Sequence, residues 1–160
     1  MVVETNQAEG DAHRLGEQLD SLLIGEAGRL DEHGYIAAVI GKEGHVFHGP
    51  YLALPAGQYS ARMIFAADKP PAGASGDPGL VLEAVNRFEI IASLPLDDAS
   101  LELGMVALPF TLPGGSGSEQ SSVEIRVFSR GKCPLVVTSV DLRRMTLAFR
   151  HPNTAIRGAP

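Results

Sequence analysis

The chain has 160 residues, 44% hydrophobic and 20% charged, with a formal net charge of −6. That is the length of one domain, enough to bury roughly 70% of its unfolded surface without staples. The acidic balance disfavours nucleic acid and anionic membrane as partners, which call for a basic face, and the lone Cys133 excludes an intrachain disulfide framework.

With 18 Gly and 11 Pro the chain is turn-rich, which suits short strands better than long helices. Residues 1–12 are polar and read as a flexible N-terminus. From Asp11 to Ile24, the residues Leu15, Leu19, Leu22 and Leu23 recur at helical spacing, with Asp11 as N-cap and Gly25 as stop. One short N-terminal helix is therefore expected. No positive segment followed by an apolar run opens the chain, so a cytoplasmic location is expected. Glu26 to Asp31 reads as a first short strand.

Strand signals then follow one another. Tyr35 to Ile40 is apolar and ends at Gly41-Lys42-Glu43-Gly44; His45 to Leu54 ends at Pro55-Ala56-Gly57. Gln58 to Ala67 alternates, with Tyr59, Ala61, Met63 and Phe65 sharing one face. A Pro/Gly/Ser-rich loop from Lys69 to Gly79 precedes the strands Leu80–Asn86 and Phe88–Ser93. Leu101 to Leu112 alternates and carries Pro109, which places it at a sheet edge or bulge. A second soft loop, Pro113 to Ser118, leads to Ser122–Ser129, where Val123, Ile125 and Val127 share a face. After Gly131-Lys132, Leu135 to Met145 sets Val137, Ser139, Asp141 and Arg143 against Val136, Thr138, Val140, Leu142 and Arg144. Cys133 reads as a small buried hydrophobe at the start of that strand. Residues 151–160 read as a flexible tail, which leaves a single domain over 13–150.

Many short strands with turn signals between them, and no βαβ alternation, predict an all-β, antiparallel, jelly-roll-like sandwich. Two blocks then carry a resemblance. The first is Glu26-Ala27, Gly34-Tyr35-Ile36, Gly49-Pro50-Tyr51 and Ala56-Gly57-Gln58-Tyr59. The second is Ser122 to Ser129, Gly131-Lys132 and Val140-Asp141-Leu142. In this order they resemble the carbohydrate-binding modules of the galactose-binding-like β-sandwich superfamily. The resemblance implies a lectin-like, non-catalytic module with carbohydrate as its partner. It also implies a structural calcium, with Glu26 and Asp141 at the positions of the family's metal-binding acids. Where the family usually supplies a second acid, this chain has Ala27-Gly28-Arg29. Gly49-Pro50-Tyr51 and Leu54-Pro55-Ala56-Gly57 also resemble sandwich domains found beside bacterial glycosyltransferases and methyltransferases, which implies a link to polysaccharide biosynthesis.

Sugar rings stack on flat apolar side chains while their hydroxyls take hydrogen bonds. The chain has no Trp and three Tyr. Tyr35 and Tyr51 are the platform candidates, with His48 beside them and Asn86 and Arg87 as hydrogen-bonding partners. Tyr59 reads instead as a corner residue whose hydroxyl caps a backbone group.

Catalytic chemistry finds little to use. His45 and His48 are three apart, so on a regular strand they face opposite ways and cannot share an ion without a bulge. Gly115-Ser116-Gly117 lacks a strand–turn–helix frame, and Asp97-Asp98 reads as a solvated bend. The chain is thus expected not to be an enzyme. The competing reading is a structural or interaction domain that self-associates through a sheet face, motivated by the apolar stretch Leu101 to Leu112.

Overall fold

The computed structural model describes residues 12–13, 21–68, 77–115 and 121–145. Their alternating apolar faces pair into two antiparallel sheets. The first sheet runs β10 (Met105–Leu112), β7 (Gly57–Ala67), β12 (Leu135–Met145), β4 (Ile36–Ala38) and β3 (Gly28–Leu30), with β1 (Ala12–His13) also on β12. The second runs β2 (Leu23–Ile24), β5 (Gly44–His48), β11 (Val123–Ser129), β8 (Leu80–Asn86) and β9 (Glu89–Pro95). There β6 (Pro50–Leu52) follows β5 and also pairs with β11. The chain passes from one sheet to the other at most connections, and the result is the expected jelly-roll-like sandwich.

The core fills the space between the sheets. Tyr59, Ala61, Met63 and Phe65 of β7 and Val106, Leu108, Phe110 and Leu112 of β10 are buried in the same cluster as Leu80, Leu82 and Ala84 of β8 and Val123, Ile125 and Val127 of β11. Tyr59 is the expected corner residue: its hydroxyl donates to the Pro55 carbonyl at 2.7 Å, and its ring stacks on Phe110. Pro109 sits on β10, at the edge of its sheet, where a residue without an N–H is tolerated. Cys133 is buried just before β12, and burial raises its thiol pKa, as suits a packing residue.

Five local expectations are corrected. The N-terminal helix is replaced at both ends by strand, since Ala12–His13 pairs with β12 and Leu23–Ile24 with β5; residues 14–20 lie outside the described residues. The helix that is described is α1 (Asp98–Leu103). Asp97, expected in a solvated bend, is its N-cap, accepting the Ser100 N–H at 2.8 Å, and Gly104 at φ 66° ends it. The strand expected from Leu101 therefore begins only at Met105. On β12 a register shift between Val137 and Ser139 turns Val137 inward together with Val140 and Leu142, so the simple alternation fails there. A shift in the β5–β11 pairing sets Phe47 against Val127 but His45 against Phe128. That irregularity puts both His45 and His48 on the outer side of the sheet, His45 against the Phe128 ring and His48 beside Glu124. The expected ends 1–11 and 151–160, and most of the loop Lys69 to Gly79, lie outside the described residues.

Candidate functional site

The β8–β9 hairpin closes through a two-residue turn, Arg87 at φ 51° and Phe88 at φ 71°. A turn with two left-handed residues matches the twist of the flanking strands, and Asn-Gly is its usual occupant. Bulky side chains there cost roughly 1–2 kcal/mol per residue in backbone strain. Tyr51, after Gly49-Pro50, sits at φ 68°. Among the described residues these three alone, glycines aside, have positive φ, and all three line one cavity. It measures about 110 Å³ and is completed by Val85, Ser122 and Glu124. Phe88 is 98% exposed and Tyr51 47% exposed, so one aromatic ring at this cavity stands free and the other is half covered.

Under the rings runs a line of paired charges on the outer face of the second sheet. Glu124 lies between the core residues Val123 and Ile125 and is only 7% exposed, so its carboxylate needs partners. Arg126 Nη1 donates to Glu124 Oε1 at 3.3 Å and Arg126 Nε to Glu83 Oε2 at 2.6 Å. A hydrogen bond to Glu124, with a smaller contribution from burial, raises the Tyr51 phenol pKa above its ordinary value. Tyr51 Oη also lies 3.1 Å from His48 Nδ1, within hydrogen-bond distance, and the imidazole tautomer decides which of the two donates. The Tyr51 ring is fixed from two sides.

A second concavity opens on the other side of the hairpin. A cleft of about 610 Å³ is lined by Leu54, Pro55 and Ala56, by Asn86, Arg87 and Glu89, by Leu112 to Gly115, and by Ser121. Leu54 N–H donates to Ser121 Oγ at 2.8 Å, which ties one wall to the next. Between cavity and cleft, Asn86 Oδ1 accepts the Ser122 N–H at 3.0 Å and the Arg87 N–H donates to the Ser122 carbonyl at 3.1 Å. Arg87 lines both spaces.

The structure thus brings together Tyr51, His48 and Arg87, and places Asn86 in the adjoining cleft. Tyr35 is not part of this group. It follows the β3–β4 turn, where Asp31 Oδ1 accepts its N–H at 2.9 Å and its ring leans on His33. Phe88 and Glu124 were not singled out from sequence. The signal for Phe88 was a large aromatic in a two-residue link between apolar runs; Glu124 carried none, since an acid on an alternating strand reads as solvent-facing.

The calcium expectation does not fit the donors. Calcium takes six to eight oxygens. The Asp141 carboxylate accepts from both Nε and Nη2 of Arg62, and Arg143 Nη2 stands 3.7 Å away, so two guanidinium groups occupy its surroundings. Glu26 Oε1 instead accepts the His45 N–H at 3.1 Å. Among the described residues no group of three or more His, Cys, Asp or Glu could hold a metal ion, so His45 and His48 belong to no such group.

No family model matches the chain, and no curated protein does. Among solved structures it is similar to the C-terminal CBM6 of LamC, a marine laminarinase from Zobellia galactanivorans. The identity is 11%, the match covers 83% of this chain and 98% of that one, and the TM-score is 0.49.

Proposed function

We propose that the protein is a non-catalytic carbohydrate-recognition module whose ligand lies at the β8–β9 hairpin. One observation carries this reading: Tyr51, Arg87 and Phe88 all carry backbone strain, and all three line the same cavity, with the Phe88 ring exposed and the Tyr51 ring half exposed. Strain of this kind persists where function needs it. Two aromatic surfaces supply stacking for a sugar ring, and Arg87, Ser122 and Glu124 supply donors and acceptors for its hydroxyls. Asn86 and Glu89 add the same chemistry in the cleft. An accessory role in polysaccharide biosynthesis belongs to the same proposal. The segments resembling domains beside glycosyltransferases contribute Tyr51 to the cavity and Leu54, Pro55 and Ala56 to the cleft.

A glycan array probed with the purified protein tests the reading, with Phe88→Ala as control. Reproducible binding to a related set of glycans, lost in Phe88→Ala with an unchanged circular dichroism spectrum, supports it. A blank array from folded protein defeats it. Repeating the array in EDTA should change nothing, given the donors around Asp141. Self-association through a sheet face is the second reading, favoured by the exposed Leu103 at the end of α1 and Met105 at the start of β10. Sedimentation of wild type against Leu103→Ser separates it from sugar binding.

A further inference from the structure

We infer that the ligand is an extended glycan chain crossing the hairpin, rather than a single sugar, with Arg87 as the shared contact of two subsites. This deepens the carbohydrate reading and rests on it. The cavity holding the two aromatic rings is about 110 Å³, well below the roughly 300–1,000 Å³ of a usual small-molecule site. The cleft beyond it is about 610 Å³, inside that range, and its described lining contains no aromatic ring. The small space has stacking surfaces and polar groups but little room, and the large one has room and polar edges but no ring.

Neighbouring residues divide between the two spaces. Val85 lines the cavity and its neighbour Asn86 the cleft; Ser122 lines the cavity and Ser121 the cleft. The hydrogen bonds joining Asn86, Arg87 and Ser122 make the wall between them rigid, so the two spaces do not merge by side-chain movement alone. The route from one to the other passes over the hairpin tip. There Arg87 borders both spaces, and Phe88 projects almost wholly into solvent as a ridge a sugar face could rest on. A chain stacked on Phe88 would place the next units over Arg87 and on toward Glu89. Tethering both ends to one rigid element makes binding at the second subsite effectively intramolecular, so affinity should climb with chain length until both spaces are filled.

The test is an array of uncharged gluco-, galacto-, manno- and xylo-oligosaccharides, each printed from one to six units. In any series that binds, the signal should rise roughly tenfold or more between monomer and tetramer. Phe88→Ala should remove binding throughout the series. Glu89→Ala, an exposed change on the cleft side, should flatten the ladder by lowering the longer members several-fold. A series in which the monosaccharide binds as tightly as the hexamer overturns the inference and leaves sugar recognition standing. So does a ladder that Glu89→Ala leaves equally steep. Silence from every series with folded protein overturns both.

Discussion

Glu124 and Asp141 are the same idea built twice, once on each sheet. Both are strand acids flanked by core residues, turned to the outer face of their own sheet and nearly inaccessible, at 7% and 5% exposure. Both are answered by arginine, Glu124 by Arg126 and Asp141 by Arg62 and Arg143. Their surroundings differ. Beside Glu124 stand Tyr51, Phe88 and Arg87, each held in left-handed backbone around a concavity. None of those three is among the partners of Asp141, whose recorded contacts are its two arginines. A buried ion pair is weak evidence of a site, because any acid that folding strands on a sheet must be paired. Exposed aromatic rings on left-handed backbone are different, since the hairpin needs the left-handed conformation but not a bulky side chain there.

The comparison breaks most directly at Asp141. Asp141→Ala should cost about 2 kcal/mol of stability, seen as a lower urea midpoint, while glycan binding stays unchanged. The loss falls short of a fully buried pair because the Arg62 and Arg143 side chains are 34% and 48% exposed and can turn to water. If binding disappears with the fold intact, the two acids are not the distinct structural and functional pairs described. At the hairpin the balance reverses. Phe88→Ala, at a residue 98% exposed, should change stability by no more than about 0.5 kcal/mol yet weaken glycan binding at least roughly tenfold.

Phe88→Gly sharpens the point further. Glycine adopts φ 71° without strain, so this variant should gain about 0.5–1 kcal/mol, a shift of a few degrees in Tm, while losing the same binding. A substitution that stabilises and disables together would identify the turn as strained for function. An unchanged Tm with intact binding would make Phe88 an ordinary turn residue.

How much of this was legible beforehand depended on the range of the interactions involved. Period-two alternation identified β7 and β11 and gave their inward faces, because a strand between two sheets must segregate apolar side chains. It failed where one residue too many entered the ladder: the irregularity after Val137 and that between His45 and Phe47 arise from pairing with a distant strand, which no local pattern encodes. The helix over Asp98–Leu103 is less than two turns long, so its apolar spacing had no room to declare itself against alternation. For the site, Tyr51, His48, Asn86 and Arg87 were found as residue types able to hold a sugar. Tyr35 was grouped with them because chemistry alone says nothing of which strand ends meet. Glu124 became visible only through its register opposite Val85 and Pro50.

That register supports the smallest and most specific prediction. Hydrogen bonding to Glu124 is the main cause of the raised Tyr51 pKa, so Glu124→Gln should bring it back toward 10.0. In the wild type the folded phenol holds its proton more tightly than the unfolded one. The associated stabilisation is therefore complete below the ordinary tyrosine pKa and is lost as the pH rises through the raised folded value. Ring resonances of isotope-labelled Tyr51, followed from neutral pH upward, report the titration directly. The expected result is a later midpoint in wild type than in Glu124→Gln, with glycan binding weakened in the variant because the ring is no longer held from both sides. His48 provides the control: His48→Ala removes the contact 3.1 Å from Tyr51 Oη but leaves the carboxylate, so the late titration should persist. If the midpoint instead follows His48 and ignores Glu124, the phenol proton points the other way. Glu124 then becomes a structural acid like Asp141.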